Sequence, residues 1–340
     1  MLFKKASATG APLQTLVNEN GISALVSAYS NSSVSFNEKI TVNAGLTTQW
    51  FLLNNAFSVE PRVAIKYRFA PKQTLSLAYG LYSRLERLNY YFIRDSIDQK
   101  INKNLGFTKA HHLVLGYDIS TSEFTHLKVE AYFQHLFDVP VTESGSFSLI
   151  NQQNDWFFCN KLQNKGYGRN YGLDITFEKY LSKGYYYMAT ASIFDSQYKG
   201  ADNEWRNTRY NRNFAINLLA GKEWLSGKNK NQVLSLNARV SFQGGDHYSP
   251  INKELSVTQQ DAVFDETKAF SQQFSPSFTT HLTASYTINK KKTAHEFALK
   301  IINLTQYKEH LGFRYNYQTQ IVDLNREATF IPNISYKIEF

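Results

Sequence analysis

Residues 328–340, ATFIPNISYKIEF, alternate between two kinds of side chain along their whole length. One set of positions is apolar or aromatic, and the other set is mostly polar. Because successive side chains of a β-strand point to opposite faces, this period of two predicts a strand with one apolar and one polar face. The apolar set is Ala328, Phe330, Pro332, Ile334, Tyr336, Ile338 and Phe340, and the other set is Thr329, Ile331, Asn333, Ser335, Lys337 and Glu339.

The same alternation recurs upstream, for example in the runs that begin at Val59, Leu234 and Phe278. No charged residue falls on the apolar face of these runs. A Lys or Arg facing lipid at mid-membrane costs about 2–4 kcal/mol, so this absence is what contact with hydrocarbon requires. Thirteen such strands are predicted, at about 22–36, 40–52, 58–69, 74–87, 108–119, 125–138, 168–181, 184–197, 212–224, 232–243, 277–288, 293–306 and 325–340.

The composition of the 340 residues agrees with a membrane barrel. Mean hydropathy is −0.41 although 42% of residues are hydrophobic, and alternating strands produce this cancellation. Apolar runs such as 50–53 are far shorter than the roughly 18 residues of a membrane-spanning helix. The 22 Tyr, 25 Phe and 4 Trp suit aromatic girdles at two membrane interfaces. The predicted fold class is therefore all-β, a transmembrane antiparallel β-barrel.

The connections between the predicted strands are short on one side and long on the other, which is the organisation of bacterial outer-membrane barrels. Only the brief connection at Asn54–Asn55 departs from this rule. This arrangement places the C-terminus and the short turns at the periplasmic rim. The short connections lie near 37–39, 70–73, 120–123, 182–183, 225–231 and 289–292, and the long ones at 88–107, 139–167, 198–211, 244–276 and 307–324.

The number of strands predicts an incomplete barrel. Bacterial single-chain barrels have an even strand number, whereas thirteen is odd and residues 1–21 predict no further strand. Either the segment is partial or the count is wrong by one. The N-terminus also lacks the apolar stretch of a signal peptide. We therefore expect residues 1–21 to be a truncated extracellular loop and residues 22–340 to be the C-terminal part of a larger barrel, whose plug and earlier strands are absent.

Several ordered motifs, from about Pro12 to the end of the chain, resemble the same kind of protein. They are NEKITVNAGLTTQWFLLNN (37–55), SVEPRVAIKYRFAPKQTLSLAYGLYSR (58–84), GGDHYSPI (244–251), IINLTQYKEHLGFRYN (301–316) and FIPNISYKIEF (330–340). With these motifs the chain resembles the C-terminal barrel of TonB-dependent outer-membrane receptors of the type with a carboxypeptidase-regulatory-like N-terminal domain. GGDHYSPI is similar to a loop motif of that family, except that Asp246 stands where Arg is usual.

This resemblance implies a barrel of 22 strands that surrounds a plug domain, and energy-coupled nutrient uptake driven through the TonB protein. It places the protein in the cell outer membrane, in contact with lipid. The terminal Tyr336, Ile338 and Phe340 match the signal that such barrels present to the barrel assembly machinery. The segment by itself is not expected to transport.

The best ligand-contact candidates are aromatic and basic residues in the predicted extracellular loops, because exposed rings give large contact areas at low entropy cost. Packing of these loops against each other explains the same rings equally well. The ligand itself, a small molecule or an oligomer, is not identified by the sequence. The candidates are Trp156, Phe157, Phe158, Trp205, Arg209 and Tyr210.

No catalytic, cofactor-binding or metal-binding motif is present in the sequence. His111 and His112 are adjacent on a strand and must point to opposite faces, and the single cysteine, Cys159, has no partner in the chain for a disulfide. The net charge of +9 is scattered, which does not favour a nucleic-acid partner. Three alternatives remain. One is a complete small porin-like channel of about fourteen strands. The second is an outer-membrane barrel enzyme, which the lack of motifs disfavours, and the third is a secreted β-rich adhesin, which the uncharged apolar faces disfavour.

Overall fold

The computed structural model describes residues 2–6, 13–20, 22–95, 99–152 and 160–340. Strands account for most of this part of the chain. They are β1 Leu2–Ala6, β2 Leu13–Asn18, β3 Leu25–Ser35, β4 Ile40–Phe51, β5 Ala56–Ala70, β6 Gln73–Arg84, β7 Thr108–Ser120, β8 Thr125–Thr142, β9 Leu162–Ser182, β10 Tyr185–Lys199, β11 Trp205–Asn207, β12 Phe214–Ser226, β13 Gln232–Gln243, β14 His247–Tyr248, β15 Gln272–Gln273, β16 Ser277–Asn289, β17 Ala294–Ile302, β18 Lys308–Asn316, β19 Ile321–Ala328 and β20 Ile331–Glu339.

The helical elements are short and lie in connections. They are α1 Leu88–Tyr91, α2 Lys253–Gln259 and single 3₁₀ turns at Leu149–Asn151 and Glu266–Lys268. In the described ranges, none of the helices has the length and apolar character needed to cross a membrane.

In the described part of the chain, thirteen strands form one antiparallel sheet whose members are arranged in chain order, while β14, β15, β18 and β19 pair outside it. The path runs β3-β4-β5-β6-β7-β8-β9-β10-β12-β13-β16-β17-β20, and the short β11 pairs with the end of β10. The predicted number of barrel strands is confirmed. The path is open, with β3 at one edge and β20 at the other.

The connections at one end of the sheet are tight turns with local chemistry that explains them. Between β9 and β10 the chain reverses at Lys183 and Gly184, whose φ angles are +54° and +78°. Positive φ at both central residues is the hairpin turn that matches the twist of the strands, and glycine adopts it without strain. Between β3 and β4 the side chain of Asn37 accepts hydrogen bonds from the backbone N–H groups of Lys39 and Ile40, both at 2.8 Å. We call this side of the sheet the turn end and the opposite side the loop end.

The apolar rows face outward and the polar rows face the concave side. Ile65 and Leu236 are both 43% exposed and Ile334 is 85% exposed, so these rows do not turn inward to form a core. Across the ladder, Ile65 pairs with Val42 on one side and Leu77 on the other, which makes the outward face continuously apolar. A large apolar surface on the outside of a curved sheet is the arrangement that hydrocarbon contact requires.

Buried apolar residues gather at the loop end rather than at the centre of the sheet. Phe51, at the end of β4, meets Tyr91 of α1 edge to face, with ring centroids 5.2 Å apart. Val17 packs in the same cluster, which therefore holds the β1–β2 hairpin against the loop end. The remaining buried members are Tyr90, Ile93, Leu105, Phe107, Leu149 and Leu162.

Two strands extend well beyond the thickness of a bilayer. β8 has 18 residues and β9 has 21, whereas about 9–11 residues suffice for a tilted strand to cross. A bulge at Asp138, where φ is +54°, interrupts the β8–β9 register between Leu136 and Val139. The extra length of both strands lies at the loop end, where Asn164 donates a hydrogen bond to the carbonyl oxygen of Asp138 at 2.7 Å.

Two details of the sequence prediction are wrong. The single final strand predicted at 325–340 is divided, because β19 (321–328) pairs with β18 in a separate hairpin inside the connection predicted as a long loop. Residues 1–21 contain the β1–β2 hairpin, although it does not join the large sheet. Period-two alternation marks any strand that has one covered face, so it does not separate barrel strands from loop hairpins.

The outward orientation of Leu236 generates a prediction about stability in lipid. Leu236→Arg should lower the free energy of unfolding in lipid vesicles by about 2–4 kcal/mol, because the charge enters hydrocarbon. The matched control is Ser235→Arg, on the concave face beside Glu223, its partner across the ladder. Urea titration of both variants measures the difference. Equal losses for the two variants would contradict the assignment of faces.

Candidate functional site

The concave face carries a hollow of about 600 Å³ near the loop end of β8, β9 and β10. Its wall combines apolar side chains and two tyrosine rings with amide and hydroxyl groups and two carboxylates. Such a surface can pack on a ligand and hydrogen-bond to it at several points. The hollow is lined by Val114, Glu130, Tyr132, Gln134, Leu136, Ile150, Asn170, Asp174, Phe194, Ser196, Thr208 and Tyr210.

A row of hydrogen bonds fixes the polar side chains of this hollow. Asn170 donates from Nδ2 to Gln134 Oε1 at 3.0 Å, and Ser196 donates to Asn170 Oδ1 at 2.7 Å. The hydroxyl groups of Ser196 and Thr208 lie 2.8 Å apart, which continues the row into the connection after β11. The groups are therefore held in place before any ligand arrives, which lowers the entropy cost of binding.

A second hollow of about 400 Å³ adjoins the first and is more basic. Tyr210 and Ile150 line both hollows, so they separate two parts of one mouth. Arg84 and Arg87 lie in the wall of the second hollow, together with Glu86, and the side chain of Arg84 is 72% exposed. The mouth thus presents carboxylates on one side of Tyr210 and guanidinium groups on the other.

Glu60 is the most deeply buried charged group on this face, with 1% exposure. It lies where the β5–β6 ladder stops, beyond the Arg62–Gly80 pair. Arg62 donates to Glu60 Oε2 at 2.8 Å and Gln49 donates to Oε1 at 2.5 Å. Ser83 also donates to Oε1. A buried carboxylate with this many donors is a structural link between β4, β5 and β6, and its oxygens are already satisfied.

The described parts of the connection after β6, 85–95 and 99–107, close over the loop end of the sheet, with Tyr91 buried among them. Burial raises the pKa of Tyr91 to about 12, so its hydroxyl stays neutral. The Tyr91 oxygen accepts a hydrogen bond from the backbone N–H of Glu86 at 3.4 Å. At the same place Glu19 pairs with Arg94 and Lys100, each at 2.6 Å, and hydrogen bonds from these two cations hold the pKa of Glu19 below its usual value.

The motif GGDHYSPI lies in the connection between β13 and β16, and its glycines allow close backbone contact. A Cβ on Gly244 would lie 1.8 Å from the carbonyl oxygen of Arg212, which no other residue tolerates. Asp246 accepts a hydrogen bond from Arg212 Nε at 2.6 Å. The acidic residue at 246 therefore ties the connection that follows β11 to the connection that follows β13.

Aromatic stacking completes the second tie between connections. His247 donates from Nδ1 to the carbonyl oxygen of Phe270 at 3.0 Å. Phe274 stacks on Tyr248 at 4.2 Å and on His310 of β18 at 4.3 Å between ring centroids.

Burial is the largest cause that lowers the pKa of both His247 and His310. The nearby Asp246 opposes this lowering at both rings, and Arg326 adds to it at His310.

The structure separates the ligand-contact candidates named from the sequence. Tyr210 lines the mouth, whereas Trp205 lies on the outward side, where its ring covers the Arg169 guanidinium at 4.3 Å. The Arg209 guanidinium lies 5.7 Å from the Phe270 ring, between two connections. The other three candidates, Trp156, Phe157 and Phe158, lie outside the described residues, as does Cys159.

The two adjacent histidines lie on opposite faces of β7, as the alternation of side chains along a strand requires. His111 contacts Tyr79 and Phe137 on the outward side, while His112 lies 4.6 Å from the Tyr82 ring and lines a concave-side hollow. The terminal residues Tyr336, Ile338 and Phe340 are exposed, and Tyr336 packs on Phe297 of β17 at 4.9 Å.

Sequence reasoning missed the amide and hydroxyl row of Gln134, Asn170, Ser196 and Thr208. These residues carry neither a charge nor an aromatic ring, although the parity of Gln134, Asn170 and Ser196 marks them as concave-side positions near the loop end. In the described ranges no group of three or more His, Cys, Asp or Glu residues could hold a metal ion.

Comparison with solved structures identifies the architecture. The chain superimposes on the outer membrane transporter YddB from Escherichia coli with a TM-score of 0.64 and 11% identity, over 93% of this chain and 45% of that one. The fold is that of part of an outer-membrane β-barrel. The predicted partial antiparallel β-barrel is confirmed, and the chain spans less than half the length of YddB.

Two further solved structures show the same likeness. The ferric-catecholate import receptor Fiu from K12 E. coli matches with a TM-score of 0.62 and 10% identity, over 93% of this chain and 44% of that one. The ferric yersiniabactin uptake receptor FyuA from Yersinia pestis matches with a TM-score of 0.61 and 10% identity, over 93% and 46%. No protein-family model and no curated protein matches the sequence.

The buried histidines predict a loss of order in acid at the loop end. Because the folded pKa values of His247 and His310 are lowered, the unfolded connection takes up protons first as pH falls. Their contribution to stability is present above about pH 6.5 and declines below it. Backbone amides of 244–276 should exchange faster at about pH 5 than at about pH 7.5, after correction for intrinsic rates. The connection 85–107 has no histidine and is the internal control, so an equal change there would count against the prediction.

The close approach of Gly244 to the carbonyl oxygen of Arg212 generates a prediction about stability. Gly244→Ala should destabilise the loop end by about 1–3 kcal/mol, because the new methyl group forces the backbone of residue 212 to move. Gly106→Ala is the matched control, since its nearest neighbour would be Asn164 Oδ1 at 3.9 Å. Urea titration followed by tryptophan fluorescence compares the two variants. A loss for Gly106→Ala as large as that for Gly244→Ala would refute the steric explanation.

Proposed function

We propose that the chain forms part of the wall and outer mouth of an energy-coupled importer in the outer membrane of a Gram-negative bacterium. The observation that carries this proposal is the thirteen-strand meander with an apolar outward face and a polar concave face, superimposable on transporters of that membrane. The loop end then faces the outside and the turn end faces the periplasm. The family named from the sequence, the TonB-dependent receptors, fits this arrangement.

The polar concave face would pack against a plug domain, through which TonB acts from the inner membrane. The Lys128–Glu130 pair, at 2.8 Å, and the part-exposed Arg62 guanidinium supply hydrogen-bonding groups for such a partner. Residues 22–340 would be the wall of the barrel, and residues 1–21 would belong to an extracellular connection, as the packing of Val17 at the loop end supports. The thirteen strands alone would not transport.

The mouth around Tyr210 would bind the ligand from outside. Its amide and hydroxyl row and its tyrosine rings suit a polar molecule with several hydrogen-bonding groups, a small compound or an oligomer. Trp205 and Arg209 would act at the rim of this mouth rather than inside it. No catalytic step is proposed, and the similar structures carry the names of transporters and receptors rather than enzymes.

The terminal Tyr336, Ile338 and Phe340 would be read by the barrel assembly machinery. Tyr336 and Ile338 lie on the outward side of the edge strand β20, Phe340 follows that strand directly, and all three are exposed. An exposed edge strand has unpaired backbone groups that another strand can join.

Ion conductance separates an energy-coupled importer from a passive channel. The protein, extracted from the outer membrane of the cells that make it, should show little steady conductance in planar bilayers in potassium chloride, because a plug closes the lumen. A passive channel gives large, lasting steps instead. Such steps, or recovery of the protein outside the outer-membrane fraction, would remove the proposal in favour of a porin-like channel or a non-membrane role.

A further inference from the structure

A band of cationic and aromatic side chains lies on the outward face at the loop ends of β7 to β11. We call it the rim band and define it as Lys109, His111, His135, Arg169, Lys199 and Trp205. Each has the same strand parity as the lipid-facing residues, for example Leu113 on β7 and Leu173 on β9. The rim band is therefore on the outside of the barrel, away from the mouth.

The members of the rim band are neighbours across the sheet. His111 pairs with His135, and His135 pairs with Arg169 on the next strand. Lys199 pairs with Trp205 on one side and with Tyr167 on the other. Adjacent strands lie about 4.8 Å apart, so three cationic or imidazole groups fall within about 10 Å along this row.

Contacts with the Trp205 ring hold two cations of the rim band, Arg169 and Lys199, in place. The Arg169 guanidinium lies 4.3 Å from the Trp205 ring centroid, and its Nε and Nη2 atoms both donate to Gln197 Oε1, at 2.9 and 2.5 Å. The Lys199 ammonium lies 5.1 Å from the same ring. Stacking of this kind orders a guanidinium and leaves its remaining N–H groups directed at solvent or a ligand.

The nearby carboxylates do not neutralise these two cations. Asp138 pairs with Lys109 at 3.0 Å. Asp195 accepts from the Tyr171 hydroxyl at 2.9 Å and from Asn211 Nδ2 at 2.7 Å. Within the described part of the chain, neither Arg169 nor Lys199 has a carboxylate within ion-pair distance. None of the carboxylates described there therefore blocks the approach of an anion to these two cations.

The position of the rim band identifies the kind of anion. Immediately toward the turn end, the same face carries exposed Leu113, Phe133, Leu173 and Ile193. A molecule that lies against both surfaces must have an anionic head and an apolar body. Fixed guanidinium and ammonium groups bind phosphate oxygens with short, charge-assisted hydrogen bonds.

We propose that the rim band binds the phosphorylated headgroup of an outer-leaflet lipid, with Arg169 and Lys199 on the phosphate and Trp205 against the adjoining part of the lipid. This inference rests on the proposed location in the outer membrane. It does not depend on transport, because the rim band and the mouth lie on opposite faces of the same strands.

Binding to lipid A tests this proposal on the whole protein, purified in a neutral detergent. The probes are lipid A with both phosphates, the same lipid A without phosphate, and inorganic phosphate, with affinities measured by microscale thermophoresis. Phosphorylated lipid A should bind, whereas the other two should bind at least about tenfold more weakly, since the site needs both an anion and an apolar body. Equal binding of the phosphate-free lipid would overturn the proposal, and equal binding of inorganic phosphate would assign the site to a free anion instead.

Paired variants locate the site. Arg169→Gln with Lys199→Gln should weaken binding of phosphorylated lipid A by about tenfold or more. The matched control is Lys179→Gln with Lys222→Gln at the turn end, where both ammonium groups lie over the Tyr185 ring, at 3.6 and 5.7 Å. Equal weakening by the two pairs would show a general effect of charge and would refute a site at the rim band. The comparison of lipids needs no variant, and the bilayer conductance of the unmodified protein is independent of either result.

Discussion

Pairing of backbone groups within the sheet is the interaction on which the rest of the molecule depends. Hydrocarbon offers no hydrogen-bonding partner, so every N–H and C=O group of a lipid-facing strand must be satisfied by a neighbouring strand. The continuous ladders from β3 to β20 meet this requirement along the path. Once the backbone is paired in this way, side chains alternate between lipid and lumen, and the positions open to polar chemistry are confined to one face and to the connections.

This confinement explains how one short stretch of chain serves two environments. On β9, Asn170 belongs to the amide and hydroxyl row of the mouth, while Arg169 is held against Trp205 on the outside. Two adjacent residues of one strand thus belong to two different surfaces, and no separate domain is needed to form the second surface. The connections supply the rest, because they bring residues such as Tyr210 over the lumen and tie the loop end together through Arg212, Asp246 and Phe274.

Most of the fold follows from the alternation of apolar and polar residues, because a charged side chain on the lipid-facing side of any strand costs free energy. The thirteen strands and the sides of their turns were predictable for that reason, and a turn such as Lys183–Gly184 requires residues that tolerate positive φ. The hairpin of β18 and β19 was not separable from the final barrel strand, since its side chains alternate in the same way. Among the ligand-contact candidates that the sequence predicted and the structure describes, Tyr210 is the one that lines the mouth. The partners of Tyr210 depend on how the connections fold over the sheet, which sequence spacing does not encode, and the opposite placement of Trp205 follows from its pairing with Lys199.

The unusual length of β8 and β9 has a consequence for the outer surface of the proposed barrel. The two strands have 18 and 21 residues and stay hydrogen-bonded to each other to Thr142 and Leu162, beyond the part that a bilayer would cover. In the proposed orientation, with the loop end outside, this paired extension is a rigid ribbon that stands above the lipid headgroups. A large molecule such as an antibody would therefore meet a fixed surface there, whereas an unpaired connection would change shape on contact.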